Sequence, residues 1–357
     1  MSLPMPDSEV LATLRRGVVI PASPLALDAE KRLDTRRQTA LMRYYCAAGA
    51  GGVAVAVHTT QFEIRDAATR MFEQVLETCS RAIDEAGRAQ RRRIVKIAGV
   101  CGRTTQALDE ARKAADFGYD AALLSLAALQ NSSEEELIRH CQAVSQIIPL
   151  VGFYLQPAVG GRILPFSFWR RFVEIENVVA IKIAPFNRYQ TLDVVRAVAL
   201  AGRDEEIALY TGNDDNIIAD LLTPFTLQTQ AGPVRLRIRG GLLGQWSVWT
   251  RTAVRLLHEI HEALATSDHI PISLLEKNAQ LTDANAAIFD AAHGFAGCIA
   301  GIHEVLRRQG LLEFTHALDE KVQLSPGQAE EITRVTRDYP WLPDDDFVSA
   351  HLAEWLD

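Results

Sequence analysis

The sequence predicts an α/β fold, a (β/α)8 TIM barrel with a C-terminal helical appendage. From Gly17 onward, short apolar runs alternate with longer segments of helical periodicity, which is typical of βαβ units in a parallel sheet. Eight such units fit into about 250 residues, the usual size of a closed barrel. An open doubly wound sheet would carry a glycine-rich phosphate loop after its first strand, but the residues after Val18-Val19-Ile20 are Pro21-Ala22-Ser23-Pro24. The barrel is therefore the favoured fold.

Each predicted unit pairs a strand with the helix that follows it. The strand candidates are Gly17–Pro21, Gly52–Val57, Ile94–Gly99, Ala121–Ser125, Leu150–Tyr154, Val178–Ile183, Ala208–Thr211 and Leu236–Gly241. The helix candidates lie near residues 35–48, 68–87, 104–117, 133–146, 165–174, 188–200, 214–222 and 246–265. The strands are almost continuously apolar, as expected where both faces of a parallel sheet are covered.

After residue 265 the alternation stops, and the rest of the chain is predicted to be helical. We therefore expect a barrel domain over residues 1–265 and a helical region over residues 266–357 that packs on it. Helices are predicted over residues 284–308, 325–338 and 346–356. Ser325-Pro326 predicts an N-cap with proline at the first helical position, and Asp346 predicts the N-cap of the last helix.

The composition is that of an ordinary globular protein. Apolar residues make up 48% and charged residues 23%, which excludes a disordered or collagenous chain. The net charge is −8, and the basic run Arg91-Arg92-Arg93 is too short to predict a nucleic-acid partner. No stretch approaches about 18 uninterrupted apolar residues, so no membrane partner is expected. The N-terminus lacks the charged and apolar regions of a signal peptide.

Five cysteines are scattered along the chain without C-x-x-C spacing: Cys46, Cys79, Cys101, Cys141 and Cys298. Their odd number and wide separation indicate neither a disulfide framework nor a zinc or redox site. They predict reduced thiols in a cytoplasmic protein, with no metal.

A single ammonium group interrupts one of the predicted strands. Lys182 lies within Val178-Val179-Ala180-Ile181-Lys182-Ile183, in a chain with only six Lys among its 37 basic residues. Burial of an ammonium is costly unless the group is paired or loses its proton, and a desolvated Lys is a nucleophile that forms Schiff bases with ketones. Lys182 is thus the candidate nucleophile. The alternative is a Lys that snorkels from a strand end or pairs with a buried carboxylate.

Further candidates follow the predicted strands at their C-terminal ends, where the active sites of such barrels lie. Strand two leads into His58-Thr59-Thr60, strand five ends in Tyr154, and strand seven leads into Thr211-Gly212-Asn213-Asp214-Asp215. Lys96 lies well before the end of its strand and is therefore assigned a structural role.

These residues, in this order, resemble the motifs of the dihydrodipicolinate synthase and N-acetylneuraminate lyase family of pyruvate-dependent class I aldolases. The resemblance runs from about Gly17 to the end of the eighth strand. It is carried by Val57-His58-Thr59-Thr60 (the G-T-T-G-E loop), Ile97-Ala98-Gly99-Val100 (the third strand), Phe153-Tyr154-Leu155-Gln156-Pro157 (Y-N-x-P), Ile181-Lys182 (the Schiff-base position), Thr211-Gly212-Asn213-Asp214 (G-x-D) and Gly241-Leu242-Leu243-Gly244-Gln245-Trp246-Ser247-Val248 (G-A-x-G-V-I-S).

The resemblance implies a role for each matched residue. Lys182 would attack the ketone of pyruvate or a pyruvate-derived 2-oxo acid, so that the covalent imine replaces any cofactor. Tyr154 would shuttle protons to and from the substrate oxygen. The backbone N–H groups and hydroxyls of Thr59 and Thr60 would hold the substrate carboxylate.

The remaining matched positions would shape the rest of the substrate site. Asp214 and Asp215 resemble an acidic pair of the sugar-acid lyases and would accept hydrogen bonds from a hydroxylated substrate. Gly212, Trp246 and Ser247 complete the expected substrate-binding set. The resemblance also implies a homo-oligomer, either a dimer or a tetramer.

Several positions depart from the family pattern. The threonine loop has His58 and Gln61 where the family has glycines, and Ser125-Leu126-Ala127-Ala128 replaces the tyrosine-bearing segment of the synthases. Val159 stands where those synthases use Arg to bind a second carboxylate, and Trp246 occupies a position that is usually small or branched. Lysine biosynthesis is therefore disfavoured, and a hydroxylated or sugar-acid substrate is expected.

Each candidate also has a plainer interpretation. Tyr154 could be a core tyrosine with a satisfied hydroxyl, and the two threonines could serve loop or cap chemistry. Asp214 and Asp215 could be an N-cap and a first-turn acid. A second class of function therefore stays open, a barrel that binds a small carboxylic acid without aldolase turnover. A related 2-oxo acid dehydratase is a further alternative.

Overall fold

The computed structural model describes residues 3–266 and 269–357, and its strands have the order of a (β/α)8 barrel. The ten strands are β1 (Val19–Pro21), β2 (Gly52–Val55), β3 (Val95–Val100), β4 (Ala121–Leu124), β5 (Leu150–Leu155), β6 (Val178–Ala184), β7 (Ala208–Thr211), β8 (Pro224–Thr229), β9 (Gly232–Arg237) and β10 (Gly240–Leu243). Eight of them form one sheet in the order β1-β10-β7-β6-β5-β4-β3-β2. A parallel bridge between Ala22 and Ala54 joins the two ends of this order. The predicted fold class is confirmed.

The helices are α1 (Ser8–Arg16), α2 (Thr35–Ala48), α3 (Phe72–Gln90), α4 (Thr104–Asp116), α5 (Glu134–Ser145), α6 (Phe166–Phe172), α7 (Arg188–Leu200), α8 (Ile217–Leu222), α9 (Thr250–Thr266), α10 (Ile272–Ile288), α11 (Cys298–Arg308), α12 (Gln328–Asp338) and α13 (Asp345–Leu356). Strands β1 to β7 lie within two residues of their predicted bounds, and α2 and α7 match theirs. Helix α1 was not predicted. Among the described residues, no helix combines the length and the apolar character needed to cross a membrane.

The prediction of an eighth strand over Leu236–Gly241 is wrong, because that segment joins two different strands. Its first part is the end of β9, which pairs with β8 as an antiparallel hairpin that places Phe225 opposite Leu236. Its last part begins β10, which pairs with β7 through Gly240 and Tyr210. The alternation of arginines with apolar residues in β9 is the period-two pattern of a half-exposed hairpin and not of a buried barrel strand.

The predicted helix over residues 284–308 is two helices, α10 and α11. The chain turns between them through Asp290 and Phe295, whose φ angles are +58° and +71°. The carboxylate of Asp290 accepts hydrogen bonds from the Gly297 N–H (3.0 Å) and the Ser325 hydroxyl (2.5 Å). These bonds hold a connection that the apolar periodicity on either side does not reveal.

Two predicted N-caps are also wrong. Helix α12 begins at Gln328 with Gly327 as its N-cap, because the Ser325 hydroxyl is engaged by Asp290. Helix α13 begins at Asp345, so Asp346 lies inside its first turn. The preceding residue, Asp344, uses its carboxylate to accept hydrogen bonds from the Tyr44 hydroxyl (2.8 Å) and the backbone N–H of Arg251 (2.9 Å).

The chain separates into two compact units, each built from two segments. The first contains the residues up to Val18 and Ile97–Leu242, and the second contains Val19–Lys96 and Leu243–Asp357. Within the first, the Tyr210 hydroxyl donates to the carbonyl of Leu14 in α1 (2.9 Å). Within the second, α13 packs on α2, with the rings of Tyr44 and Trp355 5.5 Å apart. The boundary expected at residue 265 stays a prediction.

Candidate active site

Lys182 lies on the face of β6 that points away from the neighbouring helix α6. The register pairs Lys182 with Phe153 of β5 and with Tyr210 of β7, and paired residues of parallel strands project from the same face. On the opposite face, a Cβ at Gly152 would lie 2.7 Å from the ring of Phe172 in α6. The face that carries Lys182, called the inner face below, is thus the one that lines the barrel.

The ammonium of Lys182 is buried against an aromatic ring. The residue is 8% exposed, and its Nζ atom lies 4.7 Å from the centroid of the Phe153 ring. A cation over the face of an aromatic ring is stabilised by the ring quadrupole. The sequence prediction that this Lys is buried within its strand is therefore confirmed, while its role as a nucleophile stays a prediction.

The structure brings Gly212 directly against the stem of Lys182. A Cβ at Gly212 would lie 2.7 Å from Cε and 3.1 Å from Cγ of Lys182, and 2.8 Å from Cβ of Ala184. The Gly212 N–H donates to the carbonyl of Ile183 (2.7 Å). The absence of a side chain at Gly212 is what allows the Lys182 side chain to lie across the end of β7.

Tyr154 points to the opposite face from Lys182. Its hydroxyl accepts a hydrogen bond from the N–H of Leu164 (3.2 Å), and its ring lies 5.3 Å from that of Trp169 in α6. Burial raises the pKa of this phenol, against the lowering effect of the Leu164 N–H. Phe153 therefore lies beside Lys182, and this geometry does not favour the predicted proton shuttle through Tyr154. The geometry supports the alternative of a core tyrosine with a satisfied hydroxyl.

The physical reason is a register irregularity at the start of β5. The pairing with β6 shifts between Leu150 and Val151, so that Phe153 aligns with Lys182 and Tyr154 with Ile183. Because side chains alternate between the two faces, a shift of one residue exchanges the inner and outer sets. A run that is apolar on both faces gives no sequence signal for such a shift.

The inner face of the neighbouring strands is apolar except near its end. The register pairs Gly99, Leu123 and Val151 across β3, β4 and β5. Two residues beyond Leu123, the alternation places the buried Ser125 on the same face, and its hydroxyl oxygen accepts from the Ala127 N–H (3.4 Å). Phe153 was not identified from the sequence as a site residue. Ser125 was named only within the segment that replaces the tyrosine-bearing segment of the synthases.

Asp214 and Asp215 lie in the loop that joins β7 to α8. Helix α8 begins at Ile217 with Asn216 as its N-cap, so neither acid is an N-cap or a first-turn residue and that interpretation is wrong. Asp215 lies 3.7 Å from the Arg188 guanidinium. Desolvation raises the pKa of the Asp215 carboxyl, while Arg188 opposes this effect.

A buried polar network behind this loop was not predicted. The carboxylate of Asp220 in α8 accepts hydrogen bonds from the Thr211 hydroxyl (2.8 Å), the Asn213 amide (2.8 Å) and the Asn216 amide (2.9 Å), and also pairs with Arg188. Asp220 is 3% exposed. Its place within an otherwise apolar helical segment was the only sequence signal that could have revealed it.

Thr59, Thr60 and Ser247 belong to the second compact unit, where they form a hydroxyl cluster at the end of β1. The Thr59 and Ser247 hydroxyls both donate to the carbonyl of Ala22 (2.7 and 2.5 Å), and the Thr60 hydroxyl donates to that of Ser23 (2.7 Å). The Thr60 N–H donates to the carbonyl of Val57 (3.0 Å). These hydroxyl protons hold three βα loops together, which supports the plainer interpretation of loop chemistry.

Gln61 explains how the threonine loop forms without its second glycine. Its φ angle is +70°, a conformation that favours glycine. Its side-chain carbonyl accepts a hydrogen bond from the N–H of Leu318 (2.6 Å), and the residue is 2% exposed. Tertiary contacts therefore hold a backbone conformation that the residue type alone disfavours.

Trp246 is fully buried in the short turn that follows β10. Its backbone carbonyl accepts from the Thr250 hydroxyl (2.7 Å), and no partner for its indole N–H occurs among the described residues. The neighbouring Ser247 carbonyl accepts from the Tyr45 hydroxyl (3.2 Å). Trp246 thus contributes bulk to the core of the second unit, while its expected contact with substrate stays a prediction.

Lys96, the other Lys within a strand, has the structural role assigned to it. Its ammonium is buried and donates to the Ser80 hydroxyl (3.0 Å) and the Asp84 carboxylate (2.8 Å), both on α3. Within residues 3–266 and 269–357, no group of three or more His, Cys, Asp or Glu side chains is arranged to hold a metal ion.

Comparison with known sequences gives a consistent set of relatives. The model of the dihydrodipicolinate synthetase family matches residues 16–224, more than half of the 357 residues. The 4-hydroxy-tetrahydrodipicolinate synthase of Alkaliphilus oremlandii is 31% identical over 129 residues, which cover 35% of this chain and 42% of that protein. That of Cyanothece sp. PCC 7425 is 28% identical over 210 residues, which cover 56% and 67% of the two chains. The match to the first relative thus spans less than half of its length.

Solved structures show the same fold at lower identity. Dihydrodipicolinate synthase from Aquifex aeolicus superposes with a TM-score of 0.72 at 18% identity, over 92% of this chain and 99% of that one. CdNal from Clostridium difficile, solved with mannosamine, gives 0.71 at 14% identity, over 90% and 99%. A putative dihydrodipicolinate synthase family protein from Coccidioides immitis gives 0.68 at 14% identity, over 97% and 98%. At these identities the likeness establishes the fold alone.

Proposed function

Because the chain belongs to the dihydrodipicolinate synthetase family, we propose that it is a Schiff-base-forming lyase or aldolase acting on pyruvate or a pyruvate-derived 2-oxo acid. The observation that carries the proposal is Lys182, an ammonium buried on the inner face of β6, within a segment whose sequence resembles the family's Schiff-base motif. The other Lys within a strand, Lys96, forms a salt bridge with Asp84 that accounts for its burial.

The surroundings of Lys182 suit the chemistry of an imine. The neutral amine adds to the ketone carbon of the 2-oxo acid, and the adduct then takes up a proton and loses water to give an iminium ion. The iminium withdraws electrons, so that the adjacent carbon can lose a proton or a C–C bond. The Phe153 ring, 4.7 Å from Nζ, would stabilise the positive charge of this intermediate.

The proton transfers need a group other than Tyr154, whose hydroxyl lies on the outer side of β5. On the inner face, Ser125 follows β4 and carries a hydroxyl. We assign the transfers to Ser125 and to water, because a donor must come within hydrogen-bond reach of the reacting atoms.

The acceptor is proposed to be a hydroxylated aldehyde or a sugar acid. Val159 provides no cation for a second carboxylate, while Asp214 and Asp215 supply oxygens that accept hydrogen bonds from hydroxyls. Asp215 also lies 3.7 Å from the Arg188 guanidinium. A cytoplasmic homo-oligomer that needs no cofactor completes the proposal.

A second candidate function is binding of a small carboxylic acid without aldolase turnover. It is favoured by the outward position of Tyr154 and by the hydroxyl cluster, whose protons are donated to Ala22 and Ser23.

Borohydride trapping with a panel of 2-oxo acids tests the proposal. We expect pyruvate to give a covalent adduct visible by intact mass and mapped to Lys182 by peptide analysis. Turnover is then measured with hydroxylated and unsubstituted aldehydes. An adduct without turnover of any acceptor would favour the second candidate. No adduct with any 2-oxo acid would overturn imine chemistry.

A further inference from the structure

The buried carboxylate of Asp220 links the end of β7 to the start of α7, the helix that follows the strand of the candidate nucleophile. Its Oδ2 atom accepts from the Thr211 hydroxyl at the end of β7 and from the Asn213 amide in the following loop, each at 2.8 Å. Its Oδ1 atom accepts from the Asn216 amide (2.9 Å) and pairs with Arg188, the first residue of α7. Four donors thus satisfy one charge that solvent barely reaches.

Asn213 extends this network to the loop that follows β6. Its side chain is fully buried, and its Oδ1 atom accepts a hydrogen bond from the N–H of Phe186 (2.9 Å). Phe186 lies two residues beyond the end of β6 and has a φ angle of +53°. A non-glycine residue adopts this conformation at a cost, so the bond from Asn213 helps to hold it there.

Gly212 lies between two residues of this network, Thr211 and Asn213. Its backbone limits the space left for the Lys182 stem, because a Cβ at that position would lie 2.7 Å from Cε. A displacement of the β7 loop would therefore change where the Lys182 ammonium lies relative to the Phe153 ring.

We propose that Asp220 is a positioning residue for imine formation at Lys182. It acts through Thr211 and Asn213, which hold Gly212 against the Lys182 side chain. The proposal rests on the proposed function in one respect, that Lys182 is the nucleophile. A misplacement of about 1 Å in a reacting group can cost on the order of 10²-fold in rate, so a lost network is expected to be measurable.

The test compares Asp220→Asn and Thr211→Val with the wild type. Asp220→Asn keeps the shape of the side chain, but it removes the negative charge and replaces one acceptor oxygen with an NH₂ donor. The second removes one hydroxyl and serves if the first does not fold. The matched control is Asp283→Asn, which removes a carboxylate that accepts from Arg334 (2.8 Å) and Tyr339 (2.7 Å) in the second compact unit.

Two rates are measured on full-length protein across pH. The first is the rate constant for borohydride trapping of pyruvate at Lys182. The second is the rate constant for reductive methylation of Lys182 by formaldehyde, with the methylation of Lys113 as an internal reference. Methylation needs no 2-oxo acid. For Asp220→Asn we expect both rates at Lys182 to fall by about 10- to 100-fold, with Lys113 unchanged. The control Asp283→Asn should lose thermal stability, while its rates of trapping and of Lys182 methylation stay at the wild-type values.

The outcomes separate this proposal from the proposed function. If no 2-oxo acid is trapped by the wild type, imine chemistry fails, and the methylation ratio of Lys182 to Lys113 still decides whether Asp220 positions the amine. If both variants trap pyruvate and methylate Lys182 at wild-type rates, the network serves stability alone and the positioning role is overturned.

Discussion

The inner face around Lys182 and the hydroxyl cluster of Thr59, Thr60 and Ser247 were both predicted from the sequence to belong to the site, yet their polar groups have different surroundings. The ammonium of Lys182 lies 4.7 Å from the centroid of the Phe153 ring on the inner face of the barrel. The three hydroxyls of the cluster donate to two backbone carbonyls at the end of β1. A proton already donated to a carbonyl is not offered to a substrate. A motif residue can therefore persist for the architecture of its loop.

The largest expected effect tests the first region. Lys182→Ala should abolish borohydride trapping of pyruvate, since the amine that forms the imine is removed. The matched control is Lys96→Ala, which should lower the melting temperature through loss of the Asp84 pair and leave trapping intact. Intact mass and peptide mapping measure both. An adduct that survives in Lys182→Ala, or that maps to Lys96, would contradict the assignment.

Gly212→Ala should lower the rate of trapping by about 10²-fold, because the new Cβ would displace the Lys182 stem. The melting temperature should also fall, because the new Cβ would lie 2.8 Å from Cβ of Ala184. Gly202→Ala is the control, since no heavy atom lies within 4 Å of a Cβ there, although its positive φ also disfavours alanine. Equal trapping rates for the two variants would mean that the close approach at Gly212 does not matter to the amine.

The pH dependence of stability should reveal the buried His303 of α11, which belongs to the same compact unit as the hydroxyl cluster. Burial lowers the pKa of His303 to about 4, from an unfolded value near 6.5. The unfolded chain then binds more protons in this window, so stability is full above about pH 6.5 and falls by at most about 3 kcal/mol as the pH drops to about 4. His303→Leu should flatten this slope in thermal unfolding, and the exposed His258→Leu should not. An unchanged slope in His303→Leu would assign the acid sensitivity to other groups.

Thr60→Val should destabilise the protein by about 1–3 kcal/mol, since the carbonyl of Ser23 and the N–H of Val57 both lose a buried partner. Denaturant unfolding measures this loss. The pyruvate concentration for half-maximal trapping should stay at the wild-type value. If Thr60→Val instead has normal stability and binds pyruvate weakly, the hydroxyl cluster serves substrate binding and not the architecture of the loops.

The smallest effect is expected for Tyr154→Phe. The hydroxyl accepts one hydrogen bond from Leu164, so its loss should cost about 1 kcal/mol in unfolding free energy. Turnover should change far less than the roughly 10²- to 10⁴-fold that removal of a positioned acid or base costs. Steady-state kinetics on the wild type and the variant decide this. A loss within that larger range would restore Tyr154 as the proton shuttle.

The features that depend on local pattern were predictable. Alternating apolar runs and helical segments gave the barrel, seven of its strands and the buried Lys182, because each pattern reflects burial of nearby residues. The predictions that were wrong concern features that depend on residues distant in sequence. The register shift at Val151 decides which face Tyr154 takes, and Asp290 takes the hydroxyl that would have capped a helix from Ser325. Neither partner is marked in the local sequence.

The same holds for the polar groups of the site. The acceptors of Thr59 and Thr60 lie more than thirty residues away in sequence, so their use by the architecture leaves no local trace. Asp220 is a comparable case, since its donors Arg188 and Thr211 come from two other elements. Sequence reasoning can thus identify groups able to do chemistry, while the structure decides which groups are already engaged.

The discontinuity of the two compact units has a consequence for synthesis on the ribosome. Residues up to Leu242 supply every segment of the first unit, whereas the second unit needs Leu243–Asp357 to join Val19–Lys96. Helix α2 is made early, yet it contacts α13, whose Trp355 carbonyl accepts from Arg43 (2.7 Å). The face of α2 that packs on α13 therefore stays uncovered while roughly three hundred further residues are synthesised. An apolar face exposed for that time is the kind of surface that chaperones bind.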